Sequence, residues 1–282
     1  MGALGLWAAG SIAMAQIQVS AQAERTNYLL YERVDLLVTV VNIGDTDLIL
    51  NNDEGHPWLS FMVTKHNRLP VSPEHHGDFN ALKLKVGETK TLRINLTPLF
   101  SFREEGEYKA SAVIDLPGQG EIISPPVPFT VLKGRKIWTQ VRPVDGSQRT
   151  YTLLSFSPKP DTTALYLRVE APDENIVYAN ISLGEIIASV EPDVLFDPKG
   201  NIHIIQPIAM STYLYTRADE GGKVLDQRVF KTFHEVRPRL AKMEDGNVTV
   251  SGGMVQDPST ARERLSDAQG VKKPATPDAS LQ

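Results

Sequence analysis

The chain contains no cysteine, and this absence excludes several classes of site together. Without thiols there is no disulfide, no thiolate zinc site, no iron–sulfur cluster and no cysteine nucleophile. Basic charge is also scarce, since 29 Lys and Arg stand against 34 Asp and Glu and give a net charge of −5. Nucleic acids and anionic membranes are bound by concentrated basic charge, so we expect neither as a partner.

Motifs for phosphate binding or hydrolysis are absent as well. There is no Walker-type loop, no GxGxxG loop and no Gly-x-Ser-x-Gly, and no spacing selects a catalytic pair among the many acids. His75 and His76 are adjacent, and neighbouring histidines on a loop rarely point at one metal ion. The sequence therefore predicts no catalytic residue, no metal site and no cofactor, and we expect a protein that is not an enzyme.

Long apolar runs are missing too. The uncharged segment of residues 1–15, MGALGLWAAGSIAMA, is shorter than the roughly 20 residues that a membrane-spanning helix needs. It ends in Ala13-Met14-Ala15, which is typical of a signal peptide cleaved before Gln16, although no Lys or Arg precedes it. A first buried strand or helix is the alternative. We predict a signal peptide over residues 1–15 and hence an exported protein, periplasmic, outer-envelope or extracellular.

Residues 16–133 show an apolar period of two. Val34, Leu36, Val38 and Val40 fall on one face, and short segments rich in β-branched and aromatic residues follow, separated by Gly, Pro, Asn and Asp. About seven short strands over roughly 115 residues are typical of an immunoglobulin-like β-sandwich. Helices should be scarce here.

Two local motifs resemble those of bacterial extracytoplasmic immunoglobulin-like domains. Gly106-Glu107-Tyr108-Lys109-Ala110 resembles a tyrosine corner, in which the phenol oxygen bonds to upstream backbone. Gly87-Glu88 resembles a turn common in the bacterial members. The segment is similar to CARDB-like adhesion modules and, more faintly, to the immunoglobulin-like proteinase inhibitors. This resemblance implies a binding or spacer role.

Residues 134–251 contain an internal repeat. The pairs separated by 46 positions are Pro192 with Pro238, Gly200 with Gly246, and Asn201 with Asn247. The fuller copy predicts four strands, over residues 193–196, 201–206, 212–217 and 223–230. Such a unit resembles a β-propeller blade. Chance similarity between two hairpins is the alternative.

About two and a half of these units fit in the chain, whereas a closed propeller typically needs four or more. We therefore expect the repeats to pack on the first domain, to form a compact sandwich, or to be completed by another copy of the chain.

From residue 252 to 282 the composition turns to Pro, Ser, Asp, Ala, Lys and Gln. A segment of this kind buries too little apolar surface to fold, so we predict a disordered tail.

Candidate partner contacts lie in loops of the first domain. His56, Trp58, His75 and His76 are aromatic or imidazole side chains between strands, where sandwich domains usually present contact surfaces. Trp58 is alternatively a core residue, because a strand continues after it. His203 alternates with its apolar neighbours, so we predict that it faces away from them, toward solvent or the other domain.

Taken together, the sequence predicts an all-β protein. Its parts are an N-terminal immunoglobulin-like sandwich and a second antiparallel β domain of about two blade-like four-stranded repeats. The leading functional prediction is a non-catalytic exported module of the bacterial cell envelope that contacts a protein or polysaccharide partner. One alternative is an accessory component of a carbohydrate- or peptide-processing system with a site at the domain junction. Another is an immunoglobulin-like proteinase inhibitor.

Overall fold

The computed structural model describes residues 17–53, 56–66, 69–116, 119–187 and 189–256. These residues form 22 strands and one 3₁₀ turn, Pro172–Glu174, and contain no α-helix. The predicted all-β fold is therefore confirmed. The predicted signal peptide and residues 257–282 of the predicted tail lie outside the described residues.

No helix among the described residues is long and apolar enough to cross a membrane. The chain divides into two compact units, Met1–Leu132 and Lys133–Gln282.

The first unit is built from three sheets. Its strands are, in chain order, β1 (Ile17–Ala23), β2 (Asn27–Leu29), β3 (Asp35–Asn42), β4 (Leu48–Leu50), β5 (Leu59–Lys65), β6 (Leu69–Val71), β7 (Leu82–Leu84), β8 (Thr89–Asn95), β9 (Gly106–Leu116), β10 (Gly120–Ile123) and β11 (Val127–Leu132). One sheet has the order β1-β3-β8, a second has β2-β11-β9-β5-β6 with β10 on β9, and β4 pairs with β7. Only β2 and β11 run parallel among these pairs.

The core of the first unit follows the alternation read from the sequence. Leu36, Val38 and Val40 of β3 are fully buried, and they belong to one apolar cluster with Ile114 of β9 and Phe129 of β11. Burying each such side chain contributes about 2 kcal/mol to folding. The apolar face of β3 is thus what holds the first sheet to the second.

Tyr108 makes the hydrogen bond expected of a tyrosine corner. Its hydroxyl donates to the carbonyl oxygen of Glu104 at 2.9 Å. The ring stacks on Phe129 with centroids 5.6 Å apart and lies edge-on to Phe102. The bond therefore ties the segment before β9 to an aromatic part of the core.

The second unit is a series of antiparallel meanders. Its strands are, in chain order, β12 (Arg135–Val144), β13 (Ser147–Lys159), β14 (Thr162–Ala171), β15 (Ile176–Glu185), β16 (Asp193–Phe196), β17 (Ile202–Ala209), β18 (Thr212–Ala218), β19 (Val224–Lys231), β20 (Arg239–Lys242), β21 (Val248–Ser251) and β22 (Met254–Val255). Strands β12 to β15 form one sheet in sequential order, and β16 to β19 form another with β22 at its edge. Strands β20 and β21 form a separate hairpin, 46 positions after β16 and β17.

These three sheets pack as layers. Leu153 and Leu165 of the first sheet share an apolar cluster with Ile202 and Ile204 of the second. On the opposite face of the second sheet, Ile205, Tyr213, Tyr215 and Phe230 form another cluster, against which Leu240 and Val250 of the hairpin pack. The second sheet is therefore covered on both faces.

The predicted tail begins too early. Strand β22 pairs with β19, with Val255 opposite Phe230 and Met254 opposite Lys231. Gly252 and Gly253 have φ of +76° and +66°, which reverses the chain so that β22 returns to the sheet. Composition alone does not distinguish these two turn glycines from the start of a flexible linker.

Candidate functional site

Trp58 lies in the core of the first unit. It is only 2% exposed, and its ring packs edge-on against Phe79 with centroids 6.5 Å apart. The indole Nε1 donates to the carbonyl oxygen of Asn80 at 3.1 Å. The buried Trp58 therefore contacts the loop of residues 72–80 from the core side, and its ring is not available to a partner.

Asn52 fastens this loop to the turn that precedes β5. Its Nδ2 donates to Asp78 Oδ1 at 2.8 Å and to the Phe79 carbonyl oxygen at 3.2 Å. Its Oδ1 accepts the backbone N–H of Trp58 at 3.2 Å. At the other end of the loop, the backbone N–H of Glu74 donates to the Leu99 carbonyl oxygen at 2.8 Å. Both ends of the loop are thus fixed by hydrogen bonds.

The fixed loop exposes the candidate histidines. His75 and His76 lie on it and are exposed, and His56 is exposed on the neighbouring turn. His56 is held there by a reciprocal backbone pair with Asp53, with N···O distances of 2.6 and 3.0 Å. We call His56, His75 and His76 the pinned-loop surface. The two ring nitrogens of histidine donate and accept hydrogen bonds, which suits it to polar partners.

A protein metal site needs several ligand side chains grouped around one point. Among the residues that the structure describes, no three His, Asp or Glu side chains are grouped so that they could hold a metal ion. The chemistry that the pinned-loop surface offers is hydrogen bonding through its imidazoles.

His203 was predicted to face away from Ile202 and Ile204, and it does. The prediction that it faces solvent or the other domain is wrong, because it is 3% exposed on the face that the β20–β21 hairpin covers. Its Nδ1 lies 2.8 Å from the Tyr215 hydroxyl and its Nε2 lies 3.2 Å from Asp197 Oδ2. Both ring nitrogens are therefore used within the second unit.

Asp197 completes the network around His203. Its Oδ1 accepts the backbone N–H groups of Lys199 and Asn201, and its Oδ2 accepts Nδ2 of Asn201. Burial by itself raises the pKa of Asp197, but hydrogen bonds from Asn201 and His203 outweigh it, so the pKa is lowered. Burial also raises the pKa of the Tyr215 hydroxyl. The network is buried and internally bonded, as expected of a structural core.

One cleft of about 290 Å³ lies in the second unit. Its lining residues come from β12, β13 and the segment before β16, and they are Arg135, Lys136, Ile137, Ser155, Ile186, Ser189, Val190, Glu191 and Pro192. A β-bulge in β12 between Lys136 and Trp138 shapes this region. The lining contains a single carboxylate and no histidine.

No protein-family model matches the chain, and no curated protein does. Solved structures that match the chain do so with low TM-scores. A β-glucosidase, EmGH1 from Erythrobacter marinus, is 21% identical over 41% of this chain and 15% of its own, with a TM-score of 0.29. Spo0M, a sporulation control protein from Bacillus subtilis, is 9% identical over 91% of this chain and 95% of its own, with a TM-score of 0.30.

The third structure is the uncharacterised protein lmo2446 from Listeria monocytogenes EGD-e. It is 14% identical over 81% of this chain and 20% of its own, with a TM-score of 0.23. This chain thus spans about 15% of the length of the glucosidase. All three TM-scores are too low to assign a fold or a function.

Proposed function

We propose that this protein is a non-catalytic exported module of the bacterial cell envelope that binds a protein or polysaccharide partner through the pinned-loop surface. The observation that carries the proposal is that hydrogen bonds fix both ends of the loop of residues 72–80, which exposes His75 and His76. A loop that is already ordered loses little conformational entropy when it binds. The signal-peptide-like sequence of residues 1–15 supports export.

Three features support a role without catalysis. Hydrolysis of a glycosidic bond needs two carboxylates, and the 290 Å³ cleft offers only Glu191. The His203 network has its ring nitrogens bonded inside the second unit. Among the described part of the chain, no group of residues could hold a catalytic metal ion.

The test removes the imidazoles and keeps the fold. We expect the triple variant His56→Ala, His75→Ala and His76→Ala to bind isolated bacterial cell envelopes at least about tenfold more weakly than the parent, a loss of about 1.4 kcal/mol. Binding is measured by co-sedimentation of the mature chain beginning at Gln16. His234→Asn is the matched control, because His234 is also exposed but lies in the second unit. Equal binding by the triple variant and the parent would refute the proposal.

A second variant tests whether the loop must be fixed. Asn52→Ala leaves all three histidines in place but removes the bonds to Asp78, Phe79 and Trp58. We expect weaker envelope binding than the parent and faster hydrogen exchange in residues 72–80. Faster exchange with unchanged binding would show that the hydrogen bonds of Asn52 do not contribute to envelope binding.

A further inference from the structure

Two arginines lie directly opposite each other in the second unit. Arg142 of β12 is paired with Arg149 of β13 in the antiparallel ladder. Directly opposed side chains leave the same face of a sheet, with Cβ atoms about 5 Å apart. Like charges in this position repel each other and destabilise the sheet. The two charges by themselves are therefore unfavourable at this position of the sheet.

Each guanidinium group is held on an aromatic ring. The Cζ atom of Arg142 lies 4.2 Å from the centroid of the Phe196 ring, and that of Arg149 lies 4.4 Å from the centroid of Tyr178. A cation over the face of a ring is attracted by the ring's quadrupole, while its N–H groups point outward along the guanidinium plane. The two rings thus fix the orientation of the two guanidinium groups and of their N–H donors.

Within the described residues, neither arginine forms an ion pair with a carboxylate. Nε of Arg149 is buried and has no hydrogen-bond partner. Leaving a buried donor unpaired costs about 1–3 kcal/mol. Two neighbouring cations without an ion-pair partner favour an anionic ligand.

The groups around the pair are polar but already engaged. Tyr151 follows Arg149 on the same face, and its hydroxyl donates to the Glu220 carbonyl oxygen at 3.0 Å. Burial is the main cause that raises the pKa of Tyr151, and the nearby Glu220 carboxylate also raises it. The charges of Arg149 and Arg142, and a hydrogen bond between Arg149 and the Tyr151 hydroxyl, act against that rise. The Glu220 carboxylate lies against Gly200 instead of pairing with an arginine. The Glu174 carboxylate accepts the Tyr178 hydroxyl at 3.1 Å.

We propose that Arg142 and Arg149 bind a carboxylate group of an acidic polysaccharide. Guanidinium forks match the two oxygens of a carboxylate and bind them with charge-assisted hydrogen bonds. Tyr178 remains 39% exposed beside Arg149 and offers apolar ring surface on which a sugar can pack. The site lies in the second unit, so it is independent of the pinned-loop surface.

The experiment titrates the mature chain with a short oligogalacturonate by calorimetry. Parallel titrations use a neutral oligosaccharide of the same length and inorganic sulfate. We expect binding of the oligogalacturonate to be at least tenfold tighter than that of either parallel probe. Neutral sugar that binds equally well would overturn the charge assignment, and sulfate that binds equally well would overturn the assignment to a saccharide.

Variants assign the binding to this pair. Arg142→Gln with Arg149→Gln should weaken oligogalacturonate binding at least tenfold, whereas Arg237→Gln with Arg239→Gln, which removes two exposed arginines of the same unit, should change it less than twofold. Arg142→Lys with Arg149→Lys keeps both charges but removes the planar guanidinium groups, so it should bind the oligogalacturonate with intermediate affinity. This lysine variant replaces the glutamine variant in the test if the glutamine variant does not fold. Unchanged binding in the variants of the pair contradicts the proposal. The triple histidine variant should retain oligogalacturonate binding, which separates this site from the pinned-loop surface.

Discussion

Replacing Asp197 by alanine should destabilise the second unit by about 3 kcal/mol or more. Its carboxylate accepts four hydrogen bonds, two from the backbone N–H groups of Lys199 and Asn201, one from the Asn201 side chain and one from His203. Asp197 is only 7% exposed and His203 only 3%. Because His203 is buried, its ring nitrogen stays unpaired once the carboxylate is removed, and the cost exceeds that of a surface hydrogen bond.

Asp245→Ala is the matched control. Asp245 closes the equivalent turn of the β20–β21 hairpin and accepts the backbone N–H and Nδ2 of Asn247, but it is exposed. Water replaces those bonds, so we expect a loss below 1 kcal/mol. Hydrogen exchange of peptides from β16 to β18, measured across a urea series, reports on this unit separately from the first. Similar losses for the two variants would show that burial of the Asp197 network does not stabilise the unit.

The contribution of Asp197 should also depend on pH. Its pKa is lowered in the folded state relative to about 3.9 in an unfolded chain, so the folded state favours the carboxylate. The stabilisation is then complete above pH 4 to 5 and is lost as the pH falls through the folded pKa. We expect the difference between the parent and Asp197→Ala to be largest at pH 7 and to shrink below about pH 3. Urea unfolding at pH 7, 4 and 2.5 measures this, and a constant difference would contradict the assigned role of the charge.

Local alternation and the repeat were enough to place most of the strands. The four strands predicted from the fuller copy correspond to β16, β17, β18 and β19, because turn residues and apolar periodicity both mark their ends. No bounds were predicted for β12 to β15, and β22 fell within the predicted tail. In the first unit, β2, β6 and β10 were not predicted. Each of these three has only three or four residues, which is too short for a period of two to be recognised. Their pairing is decided by neighbouring strands rather than by their own sequence.

The environment of a side chain was harder to predict than its direction. The face of His203 followed from alternation, but its burial depends on the β20–β21 hairpin, which begins 36 positions later in the chain. The candidate histidines were recognised as loop residues, whereas the anchoring role of Asn52 was not. An asparagine after a strand has the same sequence signal whether it binds its own turn or a distant loop. Contacts between distant segments are what periodicity and motifs leave undetermined.

Replacing Gly222 by alanine should destabilise the second unit by about 3 kcal/mol or more. Gly222 has φ of +89°, a conformation that costs other residues about 1–2 kcal/mol. An added Cβ would lie 2.4 Å from Cβ of Ala179 and 3.1 Å from Cγ2 of Val169, which are atoms of β15 and β14. The β18–β19 turn would then have to move off the first sheet of the unit, and the bond from Tyr151 to Glu220 in the same turn would be strained.

Gly221→Ala separates this close approach from a general effect of losing a glycine. Gly221 neighbours Gly222 in the same turn, yet an added Cβ there meets only Asp219 Oδ1, at 3.4 Å. We expect a change below about 1 kcal/mol, because ordinary van der Waals contact is the only consequence. Both variants are compared by hydrogen exchange of β14 and β15 peptides in urea, where only Gly222→Ala should lose protection. If both variants retain protection of β14 and β15, the β18–β19 turn does not pack on the first sheet of this unit as closely as the structure shows. The described packing of that turn against β14 and β15 would then be wrong.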